Sequence, residues 1–236
     1  MHTKTPEWYK AGEERAVTIA DKVFAQIQRA IVEGAIPPGS KISEPELART
    51  YGISRGPLRE AIGRLEACSL VVRKANVGAR VVTLSSQQLL EIYHVREALE
   101  GMAARLAATA MSAEEIEDLQ ELLGLHGDQI AQERGSAYFQ KEGDLDFHYR
   151  IVQGSHNSRL IELLCNDLYH LVRLYRYQFG MTSRQRATPA FGEHEHIVAA
   201  IANRDGEMAE LLMRHHVRLS RANVERMLAE RAQAQR

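Results

Sequence analysis

Residues 39–66, GSKISEPELARTYGISRGPLREAIGRLE, decide the architecture of the first third of the chain. Ser43 followed three positions later by Glu46 has the form of a capping box, so a short helix is expected to start there with Leu47 on its buried side. Gly52 closes that helix and Ile53 fills the turn. Ser54 caps the next helix, which tolerates Pro57 in its first turn because no intrahelical bond is lost there. Leu58, Ile62 and Leu65 form its apolar stripe. Two short helices joined by a tight glycine turn make a helix-turn-helix, whose second helix enters the major groove by its N-terminal residues. Here those residues are Ser54, Arg55, Gly56 and Arg59. Arginine can bind guanine O6 and N7 together, a cap hydroxyl or a helix-start N–H can hold a phosphate, and glycine leaves room for the duplex.

Upstream, Ile19, Val23, Ile27 and Ile31 recur at helical spacing between Thr18 and Glu33, and Gly34 is the stop. Pro37-Pro38-Gly39 then turns the chain sharply. Downstream, Leu70-Val71-Val72-Arg73 and Ala79-Arg80-Val81-Val82 are β-rich runs around Lys74-Ala75-Asn76-Val77-Gly78, which reads as a hairpin with a basic, glycine-bearing tip. Such a wing lies on the DNA backbone or minor groove, with Arg73, Lys74, Asn76, Gly78 and Arg80 as its expected contacts. The sum is a winged helix-turn-helix over residues 17–83, after an N-terminal tail of residues 1–16.

The charge distribution agrees. Residues 1–83 carry 13 Lys/Arg against 9 Asp/Glu, whereas residues 84–236 carry 17 against 22, so a net charge of −1 conceals a basic module joined to an acidic one.

Residues 84–236 read as an all-α antiparallel bundle, making the whole chain mainly α. Helices are expected at about 86–111, from Ser112 with a Ser112/Glu115 capping box, at 138–152, 158–179, 191–203 and 205–229. Within them, Asp144 and His148 are four apart and share one helix face. His194 shares a face with Ile197, Val198 and Ile201, while His196 lies nearer the polar side; Asp146, two residues from His148, faces away from it. Helical phase does not separate His215 from His216. One carboxylate and three imidazoles suit a divalent ion such as Zn, Ni or Mn. Arg96 and Glu100 form an i, i+4 pair, and Asn166, Tyr169, Arg173 and Tyr177 make a polar stripe in a leucine-rich helix. With a metal nearby, Arg96, Asn166, Tyr169 and Arg173 are the expected clamp for a small organic acid. An internal hydrogen-bond network or a dimer surface is the plainer reading of the same stripe.

The run from Gly39 to Glu66 resembles the GntR family of bacterial regulators, and this likeness adds Ser43, Glu46 and Arg64 to the expected DNA-binding set. The family often carries an arginine where this chain has Pro45, and commonly threonine where it has Gly56. Asp144-Leu145-Asp146-Phe147-His148, then Glu193-His194, then Met213-Arg214-His215-His216, resemble the FadR-type subfamily with its C-terminal FCD domain. That resemblance implies metal ligation by Asp144, His148, His194 and His216, with an organic acid as effector. A more distant likeness is to regulators of propionate and 2-methylcitrate breakdown.

Enzymatic activity is not expected. His194-Glu195-His196-Ile197-Val198 lacks the second histidine of a zinc protease motif, and no nucleophile with a paired base is recognisable. No run approaches the roughly 20 apolar residues of a membrane span. Two cysteines, Cys68 and Cys165, fit a reducing cytosol, and no signal peptide is read at the start. The expectation is a cytoplasmic, ligand-responsive repressor that binds a near-palindromic double-stranded DNA operator as a homodimer.

Overall fold

Thr18 opens the first helix of the computed structural model, which describes residues 17–74, 77–83, 85–132, 147–178 and 184–234. Helix α1 (Ile19–Val32) carries a full capping box, in which Thr18 and Asp21 exchange backbone and side-chain bonds. It ends at Gly34, whose φ of 76° is the left-handed conformation glycine adopts most easily. Helices α2 (Glu44–Tyr51) and α3 (Arg55–Ala67) follow, joined through Gly52 at φ 63°. Leu58, Ala61, Ile62 and Leu65 of α3 meet Val23, Ile27 and Ile31 of α1 in one buried cluster. Ser43 occupies the cap position of α2, but the expected capping box does not form, because its side chain bonds no helix N–H. Pro45 in that first turn has already removed one donor, and Glu46 is exposed to solvent.

Strands β1 (Val71–Lys74) and β2 (Gly78–Val81) pair antiparallel in the register Val71↔Val81 to Lys74↔Gly78. A bridge between Lys41 and Arg80 ties the hairpin to the connector before α2.

The rest of the described chain is helical. Helix α4 (Ser86–Ala110) starts at a Ser85/Gln88 capping box and runs through the bundle. Its Ala103, Ala104, Ala107 and Ala108 are fully buried, and such small side chains let α6, α9 and α10 approach closely. Helix α5 (Ala113–Gln132) begins at the expected Ser112/Glu115 box. Helix α6 (Phe147–Gly154) is the described part of the helix expected from 138; Asp144 lies outside the described residues.

The single helix expected over 158–179 is in fact composite. A short turn α7 (Ser158–Ile161) passes into a π-helical stretch, Glu162–Leu168, and then into α8 (Tyr169–Gln178). Helix α9 (Arg184–Ala202) begins seven residues before the expected Phe191 and contains Pro189, a residue that normally marks a helix boundary. Helix α10 (Gly206–Ala234) packs along α4. Between α9 and α10, Arg204 takes φ 61° and donates to the carbonyls of Ala108 and Met111, closing the C-terminal end of α4.

The two halves share apolar contacts. Leu171 and Leu174 of α8 belong to the same buried cluster as the winged-helix core, and Phe24 and Ile92 pack beside them. The Tyr175 hydroxyl donates to the Ser85 carbonyl at 3.3 Å, and burial pushes its phenol pKa up. No described helix is long and apolar enough to cross a membrane.

Candidate functional site

Ser54, Arg55, Gly56 and Arg59 form an exposed cluster at the start of α3. Ser54 is extended at the cap but makes no side-chain capping bond. A Cβ added at Gly56 would meet no atom within 4 Å, so the fold itself does not require glycine there. Arg59 is held by Glu44 at 2.9 Å and Arg73 by Glu66 at 2.8 Å, both on the surface. Arg55 has no ion-pair partner among the described residues. Lys74 is exposed at the end of β1; Gly78, at φ 89°, opens β2, and Asn76 lies outside the described residues.

Two expected contacts point elsewhere. Arg64 reaches back to α1, where it pairs with Asp21 at 2.6 Å and lies 4.3 Å over the Phe24 ring. Arg80 donates to the Gly39 carbonyl at 2.8 Å and so anchors the wing. Asp21 is pulled down to about 2, chiefly by the Thr18 backbone N–H, then by the Thr18 hydroxyl and Arg64.

The second site lies inside the bundle. His148 of α6, His194 of α9 and His216 of α10 are buried and converge, with His216 Nε2 standing 3.2 Å from both His194 Nε2 and His148 Nε2. His196 and His215, the alternatives on the same helices, are exposed. Phe147 stacks on His194 at 3.9 Å. Two carboxylates orient the rings: Glu100 faces His148 Nδ1 and Glu193 faces His216 Nδ1, each at 2.7 Å. An Nδ1 facing a carboxylate carries the hydrogen, so each Nε2 presents a lone pair. Lone pairs opposed at 3.2 Å repel unless a cation or proton lies between them. Ligands at about 2.0–2.1 Å in a tetrahedral zinc site stand roughly 3.3 Å apart, so the triad fits a divalent ion.

A small cleft opens beside this centre, lined among others by Arg96, Glu100, His148, Cys165, Tyr169 and Arg173. His148 therefore belongs to both the triad and the cleft. Arg96 Nε donates to Glu100 Oε1 at 2.6 Å, and both side chains are almost fully buried. Burial opposes ionisation of Glu100, but Arg96 first and His148 second outweigh it and hold its carboxyl well below the usual range. Arg173 lies 5.8 Å from the Tyr169 ring, which packs against Tyr149. Asn166 is exposed and does not line the cleft; Cys165 faces it instead, because the π-helical turn shifts the phase of that segment.

Glu193 and the link from Glu100 to His148 are additions that sequence spacing does not reveal. The first bond joins α4 to α6 and the second α9 to α10, and the sequence signals for them are that Glu100 lies one turn after Arg96 and Glu193 directly before His194.

Comparison with known proteins bears on both sites. Residues 19–81 match the family described as "Bacterial regulatory proteins, gntR family", and residues 91–219 match the FCD domain. The chain is 30% identical over 196 residues to the uncharacterized HTH-type transcriptional regulator YdhC of Bacillus subtilis, covering 79% of this chain and 82% of that one. It is 32% identical over 202 residues to the "Probable D-xylose utilization operon transcriptional repressor" of Paenarthrobacter nicotinovorans, covering 85% and 86%. Among solved structures, E. coli McbR/YncC superposes with a TM-score of 0.68 at 21% identity, over 90% of this chain and 100% of that one.

Proposed function

Because this chain belongs to the GntR family of bacterial transcription regulators and carries an FCD domain, we propose that it is a repressor controlled by a small organic acid bound beside a divalent metal ion. The observation that carries this reading is the position of α8. One face of that helix contributes Tyr169 and Arg173 to the cleft, and another sends Leu171 and Leu174 into the apolar cluster of the winged helix. A ligand that draws in Arg173 or Tyr169 acts on the helix against which the DNA-binding domain rests.

His148, His194 and His216 would hold the ion, with Asp144 as the expected fourth ligand. When bound, the ion supplies a Lewis-acid position for a carboxylate oxygen. Arg96 and Arg173 supply the cationic wall, and arginine can clamp a carboxylate with two charge-assisted bonds. On the DNA side, Ser54, Arg55, Gly56 and Arg59 read the major groove, while Arg73, Lys74, Asn76 and Gly78 hold the backbone. Two copies related by a two-fold axis would meet the two halves of a near-palindromic operator in the cytoplasm. Effector occupancy changes operator affinity only through its different affinity for the two arrangements of the domains.

The test is a thermal-shift screen of small mono-, di- and tricarboxylic acids with and without Zn, Ni and Mn. The reading predicts that one metal raises the melting temperature and that at least one acid raises it further only when the metal is present. If no metal and no acid shifts it, the protein is a constitutive DNA binder and this reading fails.

A further inference from the structure

Glu100 stands between two chemistries. Its Oε1 accepts from Arg96 Nε at 2.6 Å and its Oε2 accepts from His148 Nδ1 at 2.7 Å. Arg96, Glu100 and His148 are all buried, and all three line the cleft. Glu193 orients His216 from α9 in the same way but does not line the cleft.

We propose that Glu100 is a shared positioning residue that couples the anion side of the cleft to the metal centre, so that metal and carboxylate ligand strengthen each other's binding. This rests on the metal-assisted reading given above. A carboxylate on Nδ1–H fixes the tautomer and makes the opposite nitrogen a stronger donor. The Arg96 guanidinium draws on that same carboxylate and weakens this effect. An organic anion meeting Arg96 in the cleft offsets the guanidinium charge, and Glu100 then acts more fully on His148. Because these groups are buried, such changes in charge are felt more strongly than at a surface. Linkage makes the effect mutual: an anion that tightens metal binding is itself bound more tightly by the metal-loaded protein. Glu193, outside the cleft, would orient its imidazole without this dependence.

The sign separates this role from a structural one. Removing Arg96 breaks a buried ion pair, and a merely structural pair would leave a looser site with weaker metal binding. In the coupling arrangement, Arg96→Gln leaves Glu100 fully available to His148 and the zinc affinity rises. The experiment measures zinc dissociation constants by chelator competition in the full chain for wild type, Arg96→Gln, Glu100→Gln, Glu193→Gln and Arg96→Gln/Glu100→Gln. Circular dichroism melting checks each fold, and the double variant retains no uncompensated charge from the pair. Expected are roughly fivefold or tighter zinc binding in Arg96→Gln, and about 10- to 100-fold weaker binding in Glu100→Gln and in Glu193→Gln. In the double variant the gain disappears. Zinc binding by wild type together with equal or weaker binding by Arg96→Gln overturns the coupling alone; so does a gain that persists in the double variant. A wild-type chain that takes up no zinc overturns the metal reading itself, and the coupling with it. A second readout needs no variant: histidine ¹⁵N spectra of the metal-free wild type should show His148 and His216 each with a hydrogen on Nδ1, whatever proton their Nε2 atoms share. Finding Nδ1 of His148 without a hydrogen overturns the positioning role.

Discussion

Arg59 pairs with Glu44 on the surface of α3, and an exposed pair of this kind contributes only about 0–1 kcal/mol. A phosphate or guanine can therefore displace Glu44 at little cost. Arg55→Ala and Arg59→Ala should each weaken specific operator binding by about 1–3 kcal/mol, read by fluorescence anisotropy, with unchanged melting temperature. Retained wild-type affinity in both variants would refute the assignment of α3 as the reading helix. Asp21 makes a different prediction. Its folded-state pKa, about 2, lies below the ordinary aspartate value of 3.8, so its stabilising effect is complete above that value and is lost as pH falls through about 2. Carboxyl ¹³C titration of the winged helix should place its midpoint near 2; an ordinary value would show that the Thr18 cap and the Arg64 pair do not hold in solution. At this scale the sequence was informative where helix phase alone sorted buried from exposed, as with His194 against His196. It was silent on His215 against His216, whose neighbours are alike in phase, and on Glu100 and Glu193, whose partners lie on other helices. The pairing of Arg64 with Asp21 of α1 was equally invisible to spacing.

At the scale of elements, α8 connects cleft and winged helix, and its two leucines are the parts to remove. Leu171→Ala and Leu174→Ala should each cost about 2–5 kcal/mol of stability, as buried leucine truncations do, and should reduce the effect of any effector on operator affinity while zinc uptake persists. An undiminished effector response in folded protein would place the coupling elsewhere. Arg204→Ala removes the donor that closes α4 and should cost about 1–3 kcal/mol in urea unfolding. Most helices were legible because caps such as Ser112/Glu115 and apolar spacing coincide. The π-helical stretch Glu162–Leu168 was not, since spacing arguments assume 3.6 residues per turn; a wider turn puts Cys165 where Asn166 was expected. Helix α9 starts seven residues before Phe191 and runs through Pro189, whose backbone chemistry normally ends a helix, so its start does not follow from local signals.

Across the whole molecule, the described chain joins a winged helix to a helical FCD domain. Three buried imidazoles converge from α6, α9 and α10, so a metal bound there stabilises the folded bundle by mass action. At a free zinc concentration 100 times the dissociation constant the gain is about 2.7 kcal/mol, and chelation should lower the melting temperature accordingly. The winged helix was legible as a unit because helix, helix, helix and hairpin occur in order with arginines at one helix start. The helical domain was legible as a bundle, but its cleft depends on how α4, α6 and α8 meet, which no single helix encodes. Control of DNA occupancy by a metal held beside this cleft is the core of the proposed function. It is tested most directly by measuring operator affinity with and without the acid identified by thermal shift, in zinc-loaded wild type and in His148→Ala. The expected result is a change of tenfold or more in wild type and none in His148→Ala. No change in wild type, or an equal change in both, would contradict it.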